Sequence, residues 1–422
     1  MGRAGVAMGL PSTSDLIQFK EVPLGEATPK GRDAATGLPT LAGGRYVRER
    51  RLGEGSAGKV NLYRRVVDGR LVAGKVVSEP RLRRQQLGRG TSAMQSFTRE
   101  LAVLQHLERG IDPCPYVARV REVLYSEASE KYYILMDYAD LGSLWRGDPD
   151  DKNDDDDGGG EGQAGGRGLG EAGAGGAAGR VFDQCLLPAG GLARGRQGIR
   201  VLRRLGRQAL MAVEGLHARG VVHGDLKPHN FMLRSPEGEA LGADTSKGEL
   251  ERLALGDLAI VDFGACARFE LGNPASEMRV RNPGTFELAA PECLSGEAYG
   301  GRAADVWALG ATLFYAAYGR LPFRGAHVDA LFEHIAQGAA GVDFPDAAGN
   351  DAGQAGIDLR RALEAMFSVD VAARPTAAEL LASDPFFSCP DDDALVPADL
   401  ARAAEPPRGE RGQPSALQDK KK

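Results

Sequence analysis

The stretch VVHGDLKPHNFML, residues 221 to 233, holds an acid at Asp225, a base at Lys227 and an amide at Asn230. An acid and a base so close together suit acid–base or charge-neutralising work on a bound group. The apolar pairs Val221-Val222 and Phe231-Met232 flank them, so a polar loop has to be pinned from both sides. Three further places carry chemical potential. LGEGSAGKV, residues 52 to 60, sets Gly53, Gly55 and Gly58 ahead of Val60, a spacing that lets backbone approach phosphates and that equally makes a tight turn. LVAGKVV puts Lys75 in the middle of an apolar run, where its ammonium either faces water or needs a partner, and Glu100 is within the reach of such a pairing. IVDFGACA ends an apolar run at Asp262, as a turn former or a metal ligand would.

Positioning these groups requires a particular order of elements. Residues 46–63 and 70–77 alternate as strands do, with Val60, Leu62, Val72 and Val76 as inward candidates. The glycine-rich stretch therefore joins two strands, which argues against a dinucleotide fold, where a helix N-terminus must follow. Phe97, Leu101, Leu104 and Leu107 mark one face of a helix, with Ser92 and Gln95 spaced as a capping box. KYYILMDYA (131–139) reads as a strand, and helical spacing returns at 199–216, 304–318 and 359–367. Strands first and helices later imply an α+β chain in two lobes.

Composition narrows the class. The net charge of −6 gives no reason to expect nucleic-acid binding. The five cysteines are scattered without CxxC spacing and read as reduced thiols. No apolar run is long enough to span a membrane, and no signal or myristoylation pattern opens the chain. A monomeric cytoplasmic protein, with the nucleus as the other compartment, is the expectation. Residues 1–44 read as a flexible leader, 147–179 as a disordered acidic and glycine-rich insert, 235–250 as a second polar insert and 388–422 as a polar tail, which leaves one domain at 45–387.

In order, the glycine-rich loop, strand lysine, helix glutamate, H-x-D-x-K-x-x-N, D-F-G and A-P-E (290–292) resemble the eukaryotic protein kinase family at every signature block. GTFELAAPE with Thr285, ADVWALGATLF with Asp305 and ARPTAAELLASDPFF with Arg374 extend the likeness over residues 45–387. The resemblance implies a bilobal fold, a small strand-rich lobe on a larger helical one, that transfers phosphate from ATP with Mg2+ to protein serine or threonine. By the same resemblance Asp225 orients the substrate hydroxyl and accepts its proton, while Lys227 neutralises the moving phosphoryl group. Asn230 and Asp262 hold magnesium, and Lys75, fixed by Glu100, holds the α- and β-phosphates. The nucleotide would lie among Leu52, Gly53, Gly55, Gly58, Val60 and Ala73, with Met136 guarding the pocket and the backbone of Asp137 and Ala139 meeting the purine edge. His223 and Phe263 would be packing residues, Glu292 and Arg374 a buried pair, and Asp305 a brace for the catalytic loop.

The nearest subfamilies by resemblance are the calcium/calmodulin-dependent kinases and their kinase kinases, from the two stretches RYVRERRLGEGSAGKVNLYRRVVDGRLVAGKVVSEPRLRRQ and ADVWALGATLFYAAYGRLPFRG. Gly224 departs from the pattern: most relatives place there an arginine that pairs with an activation-loop phosphate, and Arg281 occupies the usual acceptor position. Ser143 and Tyr315 stand where basophilic relatives carry glutamates. Three functions fit, an active serine/threonine kinase, a pseudokinase scaffold and a kinase of small molecules, and filled chemical positions favour the first.

Overall fold

In the computed structural model, residues 31–55, 58–87, 91–108, 114–144, 187, 190–193, 195–236, 253–279, 285–345 and 353–388 are described. The alternating stretches fold into strands Thr40–Leu41 (β1), Tyr46–Gly55 (β2), Gly58–Arg65 (β3), Leu71–Ser78 (β4), Val120–Ser126 (β5) and Lys131–Asp137 (β6). They form one antiparallel sheet in the order β1-β2-β3-β4-β6-β5. Alternation sorts the side chains between its faces. Val72 packs with Tyr63, Tyr133 and Leu41 on one side, whereas its neighbour Ala73 joins Leu52 and Leu62 on the other. A short helix, Glu79–Arg84 (α1), precedes the longer Ala93–Glu108 (α2), whose Phe97 and Leu101 pack on Val77 and Ile134.

Part of the stretch read as a flexible leader, residues 31–44, is built into the fold. The Asp33 carboxylate accepts hydrogen bonds from the N–H and hydroxyl of Thr36, at 2.9 and 2.6 Å, and β1 pairs Thr40 with Val47. Leu41 and Ala42 are buried there. A side-chain-closed turn, one strand pairing and the burial of Leu41 and Ala42 dock a segment whose composition resembles a linker.

The helical lobe is organised around Gly195–His217 (α3) and three later helices, Gly301–Tyr318, Gly353–Met366 and Ala377–Ser383. Trp307, Phe323 and Phe367 stack within its core at 5.2–5.3 Å between ring centroids. Two small ladders after α3 matter most. Val221–Val222 (β7) pairs antiparallel with Ala267–Arg268 (β10), and Phe231–Arg234 (β8) pairs antiparallel with Asp257–Ile260 (β9). The loop from 223 to 230 joins the first member of each ladder, and 261–266 joins their partners. The two loops, which carry Asp225 and Asp262, are thereby brought together, and Val261 N–H donates to the Asn230 carbonyl at 2.9 Å.

The leader up to residue 30, the insert at 147–179, Arg281 and the tail beyond 388 lie outside the described residues. Of the 235–250 stretch, Ser235 and Pro236 are described, and Asp140 accepts both the N–H and the hydroxyl of Ser235, at 2.7 and 2.5 Å. Among the described residues no helix is long and apolar enough to cross a membrane, and Cys114, Cys266 and Cys293 are buried and form no disulfide.

Candidate active site

The sheet brings the glycine-rich turn over the strand lysine. Gly58 has φ +151°, and a Cβ there would stand 2.1 Å from the Val76 carbonyl oxygen, so the close passage of β3 over β4 requires glycine. Lys75 projects on the same face as Ala73, two residues away. Its Nζ lies 2.7 Å from Glu100 Oε1 and 3.2 Å from Asp262 Oδ1. The lysine thus answers to two carboxylates, although the sequence suggests one. Burial pulls its pKa down, but Asp262 and Glu100 outweigh that and raise it, so the ammonium stays charged. Lys75 in turn holds Asp262 down to about 2, whereas burial pushes Glu100 up against the pull of Lys75.

The helix that carries Glu100 is fixed at both ends of the contact. Gln95 N–H donates to Ser92 Oγ at 3.1 Å and Ser92 N–H to Gln95 Oε1 at 3.0 Å, the reciprocal capping box. Ser96 Oγ donates to the Gly264 carbonyl at 2.8 Å, which ties the helix to the segment after Asp262. No sequence signal singles out Ser96, because its partner lies 168 residues away. Asp262 itself is left-handed at φ +64°, a conformation that Asp tolerates better than bulkier residues.

In the loop opposite, Lys227 Nζ sits 2.8 Å from Asp225 Oδ2, and Asn230 Nδ2 donates to the Asp225 carbonyl at 2.8 Å. Asn230 N–H returns to the Lys227 carbonyl at 2.8 Å, closing the turn. The loop backbone is clamped from beneath: Asp305, 2% exposed, accepts the N–H groups of His223 and Gly224, both at 2.8 Å. His217 Nε2 completes the cluster at 3.1 Å from the same carboxylate. Burial works to raise the Asp305 pKa, and the hydrogen bond from His217 together with neighbouring positive charge and the Gly224 N–H lowers it overall. His223 is fully buried against Phe263, at 5.0 Å between rings, and its Nδ1 receives the Asp225 N–H at 3.3 Å while Nε2 meets the Val261 carbonyl at 3.2 Å. That pairing requires the proton on Nε2. The ring supports the loop from inside the core.

Where the nucleotide is expected, Leu52 and Ala73 pack together with Val60, Met136 and Tyr138 beside them. Asp137 and Ala139 follow directly. The Asp137 carboxylate is bound by Arg121 at 2.5 and 2.7 Å, with Arg70 and Arg234 at 3.9 and 3.8 Å. Its side chain therefore serves the scaffold, and the arginines that claim it carried no mark in the sequence.

A lysine shared by two carboxylates, facing an acid–base–amide loop with a buried aspartate under its backbone, matches what comparison with known proteins finds. The domain described as Protein kinase domain matches residues 192–387, which takes in Asp225, Asn230 and Asp262. Residues 192–387 thus match the protein kinase domain, and the chain is similar to eukaryotic serine/threonine protein kinases. It is 28% identical over 290 residues to the serine/threonine-protein kinase GRIK1 of Arabidopsis thaliana, covering 69% of this chain and 56% of that one. GRIK2 of the same plant is 29% identical over 292 residues, covering 69% and 54%. The putative CBL-interacting protein kinase 27 of Oryza sativa subsp. japonica is 28% identical over 372 residues, covering 87% and 70%. The chain spans about half the length of the two Arabidopsis relatives. Within the matched domain, Arg374 makes bonds of 2.6 and 3.1 Å to Glu292, reaches the carbonyls of Ala303 and Ser368, and stacks over Trp307 at 5.0 Å.

Proposed function

We propose that this chain transfers the γ-phosphate of ATP to serine or threonine hydroxyls of proteins. The observation that carries the reading is the joint placement of Lys75, Glu100 and Asp262 opposite Asp225, Lys227 and Asn230. Lys75, held charged by two carboxylates, binds the α- and β-phosphates. Asp225 lies on a turn closed from both ends, where it takes the proton of the attacking hydroxyl, and Lys227 beside it stabilises charge on the phosphoryl group in flight. Catalysis of this kind is positioning plus fixed charge, with little covalent work for the protein.

Magnesium fits the residues present. Asp262 stays anionic with a pKa near 2, and Asn230 spends its Nδ2 on the Asp225 carbonyl, which leaves Oδ1 as the atom able to ligate a cation. Both are the hard oxygen donors that Mg2+ takes together with substrate phosphates. When bound, the ion supplies charge neutralisation along the phosphates.

We further propose that activity does not depend on activation-loop phosphorylation. Gly224 has no side chain to grip a phosphate; it contributes φ +76° and an N–H to Asp305 instead. The test is the purified full chain with ATP, Mg2+ and a serine/threonine peptide panel, before and after phosphatase. Transfer that survives phosphatase and is lost in Asp225→Asn, with nucleotide binding kept, is the expected result. Nucleotide binding without transfer to any peptide would instead make the chain a scaffold.

A further inference from the structure

If no phosphate grips the catalytic loop, something else must. The segment between Asp262 and Glu292 is anchored at one point where its chemistry is unusually complete. The helix Gly301–Tyr318 opens without a side-chain cap of its own: Gly300 is the N-cap residue and offers none. Its first-turn donor Arg302 N–H is satisfied from the activation segment, by Glu277 Oε1 at 2.8 Å. The other oxygen, Oε2, receives Arg302 Nε at 2.8 Å. Glu277 is 9% exposed although the Arg302 side chain is 45% exposed, so the pair is buried on its acid side, unlike a wholly exposed one that contributes little. A carboxylate at a helix N-terminus also meets the positive end of the helix dipole. The next residues add a backbone stitch, since Met278 pairs with Gly300 and Arg279 with Tyr299.

Two routes run from this anchor to the catalytic loop. One turn along the same helix, Asp305 holds the N–H groups of His223 and Gly224. On the other side, the Arg302 guanidinium lies over the Phe269 ring at 5.2 Å, and Phe269 N–H donates to the Gly220 carbonyl at 2.8 Å, directly ahead of β7. We infer that Glu277 is a positioning residue for phosphoryl transfer, a permanent anion that, through Arg302 and the helix it caps, fixes the loop that relatives fix with a switchable phosphate. This inference rests on the phosphorylation-independent reading above. It also accounts for Gly224, whose loop is held by its backbone from below and needs no arginine side chain.

The experiment uses the full chain made in bacteria and treated with phosphatase, in five forms: wild type, Glu277→Ala, Glu277→Gln, Arg302→Ala and the double alanine variant. Glu277→Ala should lower kcat at least tenfold and leave the KM for ATP within twofold, since the lysine–carboxylate cluster is untouched. Glu277→Gln should fall between the two, because an amide oxygen still accepts Arg302 N–H but carries no charge. The double variant should be hardly worse than Glu277→Ala, because both changes remove one contact. A wild type indifferent to phosphatase, combined with full kcat in Glu277→Ala or strictly multiplicative losses in the double variant, overturns the anchor alone. A wild type silenced by phosphatase overturns the reading beneath it and the anchor together. Should Glu277→Ala fail to fold, Glu277→Gln decides, and a kcat equal to wild type refutes the proposal.

Discussion

Replacing Lys75 with methionine separates its two roles, since it holds phosphate and also neutralises a buried carboxylate. Glu100 is 5% exposed and stands 2.7 Å from the ammonium, so without Lys75 it must be buried as an unpaired anion or take up a proton. Protonation sets the ceiling on the cost. From the ordinary carboxyl value of 4.5 to pH 7 is two and a half units at about 1.4 kcal/mol each, so the stranded Glu100 should cost Lys75→Met at most about 3.5 kcal/mol of stability at pH 7. The sign follows from linkage. A carboxyl whose folded pKa lies above its unfolded one contributes stability that is fully present below 4.5 and is lost as pH rises through the folded value. The deficit of Lys75→Met should therefore shrink between pH 7 and pH 5, read as the shift of the urea midpoint at constant slope. Adding Glu100→Gln removes the stranded carboxylate and should restore most of the stability at pH 7. Activity should stay down by roughly two to three orders of magnitude in both variants, the usual loss when a fixed charge at a transition state is removed. A double variant that recovers transfer would show that Lys75 acts only on the fold. A single variant as stable as wild type at pH 7 would show that Glu100 reaches water and that the buried-pair reasoning is mistaken.

Arg374, whose side chain is fully buried against Glu292, should cost about 3–5 kcal/mol when changed to alanine, seen as a large drop in Tm, and Arg374→Lys should recover only part because it lacks the planar fork. Burial and then Lys227 push His229 down to about 4, so the unfolded chain takes up a proton below pH 6.5 that the folded one refuses. Stability should fall by up to about 3 kcal/mol as pH drops from 6.5 to 4, and His229→Phe should flatten that part of the denaturation profile. Ser143 and Tyr315 are both buried and offer no carboxylate to a substrate arginine, so a peptide library should show no strong demand for Arg three residues before the target; a dominant preference there would refute this.

Local rules made much of this protein legible before any fold was known. The capping box at Ser92 and Gln95 and the stripe of Phe97 and Leu101 are read from neighbours a few positions apart and form as read, whereas the inward set Val60, Leu62, Val72 and Val76 divides between the two faces of the sheet, Val72 and Val76 on one and Val60 and Leu62 on the other. Glycine at 58 answers to the neighbouring strand, where a Cβ would meet the Val76 carbonyl. The signature residues announce which groups do chemistry because phosphoryl transfer needs few types at fixed places in a loop. Spacing does not say which charge answers which. Lys75 meets Asp262 across 187 positions, Asp305 reaches the catalytic loop across 81 and 82, and Glu277 finds Arg302 across 25. Docking of the leader at Leu41 was hidden for the same reason, since its partners lie in a sheet not yet built. Sequence determined the elements and the reactive groups, because propensity and periodicity act within a few residues. Tertiary structure decided the pairing of buried charges, because a charge taken out of water must find its partner wherever the packed chain has placed one.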